Sequence, residues 1–156
     1  MGNKRILIVD DDESVLKTMA RILELEGYQV DTARTGMEAV KKSRVNFYHL
    51  ALIDIRLPDM QGTKLLTSMC DTIPRMVKIL VTGYPSMNNA IEAVNKGADS
   101  YLRKPVKMDE LLNVVRDQLR KQQEQKEYSE QKVAEYVETR IKELQTEELA
   151  IAKPTE

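Results

Sequence analysis

Leu50-Ala51-Leu52-Ile53-Asp54-Ile55-Arg56-Leu57-Pro58-Asp59-Met60-Gln61-Gly62 is the stretch that decides the fold. Its first four residues form an unbroken apolar run, too short for a core helix. A strand covered on both faces has this pattern, and such strands lie inside parallel sheets. Asp54 ends the run abruptly. Pro58 and Gly62 then bracket a loop, and Leu65, Leu66 and Met69 mark a helix beyond it.

The same unit recurs in both directions. Upstream, Arg5 to Val9 is another short apolar strand. Val15, Leu16, Met19, Ala20, Ile22 and Leu23 follow at helical spacing, and Gly27 closes that helix. Tyr28 to Ala33 reads as a weaker strand, and Thr35-Gly36 turns into a short helix carrying Met37, Ala39 and Val40. Downstream, Val77 to Val81 is a fourth strand, and Ala90, Ile91 and Val94 sit on a helix ended by Gly97. Ala98 to Leu102 is a fifth strand, and Leu111, Leu112, Val115 and Leu119 carry the last core-facing helix. Strands each followed by a helix predict an α/β fold with right-handed crossovers. The expected architecture is a doubly wound, five-stranded parallel sheet of flavodoxin-like strand order 2-1-3-4-5, with the most hydrophobic strand central.

Composition narrows the function. The chain has 156 residues, 42% of them hydrophobic, which is enough for a true core. A formal net charge of -1 argues against a protein that coats nucleic acid. Cys70 is the single cysteine, so no intrachain disulfide forms and a reducing compartment is expected. No stretch has the length of a signal-peptide core or a membrane span, so no membrane association and a cytoplasmic location are expected.

From Val106 through Lys153 the sequence has neither Gly nor Pro and is rich in Glu, Gln and Lys. One long helix should continue out of the last core helix, at about 1.5 Å per residue. The domain boundaries expected are 1–120 for the α/β domain and 121–156 for the helical extension. Val137, Ile141, Leu144 and Ile151 approach a heptad pattern, with Ala134 and Glu148 weaker, which stays short of a clean coiled coil. A solvated helix held by pairs such as Glu138 with Lys142 is the equal alternative. From Arg120 to Glu156 seven basic residues stand against nine acids, a net of -2, with no second core. Output through protein contact is therefore expected, with no nucleic acid bound within this chain.

In a doubly wound sheet the ligand site lies beyond the carboxyl ends of the strands. Strand one ends in Asp10-Asp11-Asp12, strand three in Asp54, strand four in Thr82-Gly83, and Lys104-Pro105 follows strand five. Strand two ends in nothing reactive. Carboxylates held close together either protonate or bind a cation. An all-oxygen cluster without His or Cys favours Mg²⁺. A carboxylate can act as nucleophile toward phosphorus, and phosphoryl transfer needs mainly positioning and neutralised charge. Lys104 supplies a point cation, Thr82 a hydroxyl donor, and Gly83 room for an anion beside the backbone. Each feature alone has an ordinary reading: Asp12 or Ser14 as a helix cap, Asp54 as a turn residue, Lys104-Pro105 as a solvated turn. Their convergence on one rim favours a site.

Ile6-Leu7-Ile8-Val9-Asp10-Asp11-Asp12, the Asp54-to-Gly62 loop, Val81-Thr82-Gly83-Tyr84 and Tyr101-Leu102-Arg103-Lys104-Pro105 resemble the receiver domains of two-component response regulators. The resemblance runs from about residue 4 to 120. It implies that Asp54 is phosphorylated from a histidine on a sensor kinase. It further implies that Asp10, Asp11, Asp54 and the Arg56 backbone carbonyl hold Mg²⁺. Thr82 and Tyr101 would be a switch pair, and Lys104–Pro105 a cis peptide. The resulting change would act on a downstream protein or on self-association, through the last strand-helix face or the C-terminal helix. Two rival readings are an aspartate-nucleophile phosphohydrolase and a scaffold receiver that is not phosphorylated. Such a switch is no turnover enzyme on an external substrate.

Three further features are expected to be structural. His49, the only histidine, precedes strand three at the end opposite Asp54, roughly 15 Å away at about 3.3 Å per residue. Cys70 reads as a half-buried helix-end residue, and the eight methionines as core filler.

Overall fold

A computed structural model describes residues 3–69 and 71–152. The elements alternate as β1 (Arg5–Val9), α1 (Glu13–Leu25), β2 (Gln29–Ala33), α2 (Gly36–Val45), β3 (Leu50–Asp54), α3 (Gly62–Ser68), β4 (Val77–Thr82), α4 (Met87–Asn95), β5 (Ser100–Arg103) and α5 (Met108–Ala152). All strand pairings are parallel, in the order β2-β1-β3-β4-β5. The sheet is the predicted one, with β3 in its centre.

Alternation along each strand sends side chains to two separate cores. Ile6, Ile8, Leu50, Leu52 and Ile79 pack with Leu16 and Leu23 of α1 and Leu111 and Val115 of α5. Leu7, Val9, Ala51, Ile53 and Leu80 pack with Ala39 and Val40 of α2 and Leu65 and Leu66 of α3. Because every residue of β3 is buried, its sequence shows no alternation.

Local details depart from the sequence reading in instructive ways. In α4 it is Ala93 that faces the sheet, while Ile91 and Val94 are 52% and 71% exposed. Helical spacing alone groups Ala90, Ile91 and Val94 but does not say which side of a short edge helix meets the sheet. Helix α3 stops at Ser68, so Met69 is buried as a capping residue instead of within the helix. Thr67 and Ser68 both donate their hydroxyls to the Lys64 carbonyl, at 3.0 and 2.9 Å, and so compete for the last turn. Among the methionines, Met19, Met69 and Met76 are core, whereas Met37, Met87 and Met108 are exposed. Cys70 lies outside the described residues. His49 is half-buried; its Nδ1 accepts the Arg5 N–H at 3.0 Å, so the ring works as a structural acceptor.

The helix continuing out of the domain is present as the single α5, and contacts divide the chain between Gln122 and Gln123. On the domain side of that division Gln122 is buried, and its Nε2 donates to the carbonyls of His49 and Arg75 at 2.9 and 2.8 Å. Gln122→Leu is expected to lower unfolding stability by about 1 kcal/mol in urea titration, because it removes a buried side chain's two hydrogen bonds to the His49 and Arg75 carbonyls. The second unit carries exposed Val133, Tyr136, Val137, Ile141 and Leu144, with ion pairs such as Lys142–Glu138 at 3.5 Å. Among the described residues no helix is long and apolar enough to cross a membrane.

Candidate functional site

The rim beyond the strand ends gathers the residues singled out in the sequence. Asp10 follows β1 and is buried; its N–H donates to the Ala33 carbonyl at 3.0 Å, and its Oδ1 accepts the Asp12 N–H at 2.9 Å. Asp12 itself caps α1, accepting the N–H groups of Ser14 and Val15 at 2.9 and 3.3 Å. The Ser14 hydroxyl, followed by the Val15 N–H, holds its carboxyl below the usual value. Capping thus occupies the third acid of the run and leaves the first two for the site.

Asp54 closes β3 and is buried. Carboxylate oxygens of Asp10, Asp11 and Asp54 lie within 4.8 Å of one another. Lys104 reaches across from the far side of the sheet, placing Nζ 2.6 Å from Asp10 Oδ2 and 3.2 Å from Asp54 Oδ2. Its own N–H donates to the Thr82 carbonyl at 2.8 Å, and the Lys104–Pro105 peptide is cis. Thr82 is buried at the end of β4, with Oγ1 accepting the Tyr84 N–H at 3.0 Å. A Cβ added to Gly83 would meet only Lys104 Cβ, at 4.0 Å, so the space above this backbone is open. Tyr101 pairs with Leu80 in the sheet register and packs on the second core. Its hydroxyl is buried with no hydrogen-bond partner among the described residues.

The loop after Asp54 folds back on itself. Gly62 donates to the Ile55 carbonyl at 2.6 Å, Leu57 to the Met60 carbonyl at 3.2 Å, and Arg56 bridges Gln61. The Arg56 N–H points at Asp54 Oδ1, 3.3 Å away, and its guanidinium lies 4.0 Å over the Tyr84 ring. Asp59, quoted in the sequence only as part of this loop, accepts the N–H groups of Gly36 and Met37 at 2.9 Å each. No local pattern marks that role, since its partners are more than twenty residues away in sequence.

Electrostatics at the rim are poised against the bare acids. Burial, helped by the Asp10 charge and opposed by Lys104, pushes the Asp54 carboxyl above the usual carboxylate value. Burial works against the charge of Lys104, but the hydrogen bond to Asp10 and the charge of Asp54 outweigh it and raise the ammonium. One lysine does not neutralise three acids, and the donors are all oxygen, so the set fits a hard divalent cation with carboxylate and water ligands.

A family model for the response regulator receiver domain matches residues 6–116. This chain belongs to the response regulator receiver family. The receiver resembles regulatory protein AtoC of Escherichia coli, at 36% identity over 123 residues, 79% of this chain and 27% of that protein. It spans about a quarter of the length of such curated relatives. A CheY-like receiver domain from Methanospirillum hungatei JF-1 superposes with a TM-score of 0.76 at 46% identity, covering 80% of this chain and 99% of that one. A response regulator from Burkholderia pseudomallei, solved with a phosphorylated aspartic acid, a calcium ion and citrate, matches with a TM-score of 0.67 and 35% identity over 70% of this receiver and 65% of that chain.

Proposed function

We propose that this receiver is a phosphoacceptor switch that takes a phosphoryl group onto Asp54 from a histidine on a sensor kinase. The observation that carries the reading is the convergence of Asp10, Asp11 and Asp54 within 4.8 Å, with Lys104 bridging two of them. Asp54 supplies the attacking carboxylate oxygen. A phosphorus–oxygen bond forms there as the phosphorus–nitrogen bond to the donor imidazole breaks, and that imidazole takes its proton from solvent. A Mg²⁺ ion held by Asp10, Asp11, Asp54 and the Arg56 carbonyl would neutralise the acids and the phosphoryl oxygens. Lys104 offers its ammonium to another phosphoryl oxygen, and Thr82 has a hydroxyl proton to donate to a third. With Thr82 drawn inward, Tyr101 would be held in its buried position, and the last strand-helix face, which carries Tyr101, would change for a downstream protein or a second copy.

Intact-mass detection after incubation with acetyl phosphate tests the reading. A single adduct that requires Mg²⁺ is expected. Its absence from a folded chain favours the scaffold alternative, and breakdown of the donor without an adduct favours a phosphohydrolase.

Lys104 Nζ sits on Oδ2 of Asp10 and of Asp54, two of the acids that would hold the cation. Lys104→Met is therefore expected to tighten Mg²⁺ binding, on the order of tenfold by titration calorimetry, since the acids lose their built-in counter-ion.

A further inference from the structure

The turn after β2 touches both loops that carry the proposed cation ligands. On the first loop, Arg34 Nη2 donates to the Asp11 carbonyl at 3.3 Å. On the second, Gly36 and Met37, at the start of α2, donate their N–H groups to the two oxygens of Asp59 at 2.9 Å each. The side chain of Met60, the next residue, packs directly on Gly36, in the space a Cβ there would take. A junction with no reactive group of its own thereby joins the two loops.

We propose that Asp59 is a positioning residue, which clamps the phosphoacceptor loop to α2 and so holds the Arg56 backbone in register with Asp10 and Asp11. The proposal rests on the phosphoacceptor reading above.

The loop is tight at its base, through the Gly62–Ile55 bond of 2.6 Å and the Arg56–Gln61 bridge. It therefore moves as one piece, and its tilt depends on what restrains its tip. Arg56, Pro58, Asp59 and Gln61 are exposed, so burial restrains that tip weakly. The bonds to Asp59 restrain it strongly, because a carboxylate accepting two N–H groups at a helix start gains both charge-assisted bonding and the helix dipole. Helix α2 does not depend on this carboxylate to begin. Thr35 Oγ1 caps it by accepting the Glu38 N–H at 3.1 Å, and Glu38 Oε2 reaches back to accept the Arg34 N–H at 3.0 Å. The larger effect of losing Asp59 thus falls on the loop, where a displaced carbonyl weakens a cation that tolerates little departure from octahedral geometry.

Titration calorimetry with Mg²⁺ on wild type, Asp59→Ala and Asp59→Asn tests the clamp, alongside labelling by acetyl phosphate as a function of Mg²⁺. Asp59→Ala is expected to raise the Mg²⁺ dissociation constant about tenfold, as loss of an outer-shell partner does. Its labelling should slow at low Mg²⁺ and return to the wild-type rate at saturation, with Asp59→Asn, which keeps one acceptor oxygen, in between. A lower unfolding temperature with an unchanged dissociation constant would make Asp59 only a cap and overturn the proposal. A wild-type chain that neither binds Mg²⁺ nor takes label overturns the phosphoacceptor reading and the clamp together.

Discussion

Asp54→Asn is expected to take up no phosphoryl group from acetyl phosphate and yet to unfold at a higher temperature than wild type in cation-free buffer. The first outcome follows from the nucleophile: a carboxamide oxygen does not accept the phosphoryl group under conditions that label a carboxylate. The second follows from the charges. Asp54 titrates above its usual value in the fold, because burial disfavours its charge and Asp10 lies beside it, with Lys104 opposing both. A group raised in this way contributes its stability fully below its unfolded value, and that contribution is lost as pH rises through the folded one. At neutral pH the ionised Asp54 therefore costs stability, and asparagine relieves it. The gain should be about 1 kcal/mol, or roughly 3 °C by calorimetry. It should fade below the ordinary carboxylate range, where the acid is already neutral, and Mg²⁺ should stabilise wild type more than the variant. Stoichiometric labelling of Asp54→Asn would remove Asp54 from the acceptor role.

Gly62→Ala is expected to be the more damaging change to the fold. A Cβ on Gly62 would lie 2.9 Å from the Asp54 carbonyl carbon and 2.9 Å from Ile55 Cα. Both atoms are backbone at the end of the central strand, so no side chain can turn aside to make room. Relief requires the Asp54–Ile55 backbone or the start of α3 to shift, which should cost about 3 kcal/mol in urea titration. Because the shift moves the carrier of Asp54, Mg²⁺-dependent labelling should fall with it. Gly83→Ala is the matched control. Its added Cβ meets only Lys104 Cβ, at 4.0 Å, and stability should change by less than about 0.5 kcal/mol. Equal losses at the two glycines would mean that crowding against the β3 backbone is not what excludes a side chain at Gly62.

Most of the architecture is legible in the sequence because β1 and β3 carry continuous apolar runs and α1 and the start of α5 repeat at the helical period. Leu50 to Ile53 could be placed centrally on hydrophobicity alone, and burial of every β3 residue agrees. Helix faces were harder. The apolar residues of α4 spread over more than one side, and only packing against the sheet selects Ala93 as the inward one. Apolar spacing carries α3 on to Met69, but the hydroxyls of Thr67 and Ser68 compete for its carbonyls and the helix ends at Ser68, a local effect invisible to that spacing. At the rim, the strand-end rule alone brought Asp10, Asp54, Thr82 and Lys104 together, since a doubly wound sheet puts all such residues at one edge.

By itself the sequence determined the α/β alternation, the parallel sheet and the convergence of acids, hydroxyl and lysine at its carboxyl edge. These follow from periodicity and from the handedness of βα crossovers, both of which are local or nearly so. Tertiary structure alone decided that Lys104 spans Asp10 and Asp54 and that Asp59 ties its loop to α2. Those outcomes depend on contacts of 2.6 to 3.2 Å between residues far apart in the chain. No period in the sequence encodes such distances, because the two packed cores on either side of the sheet set them.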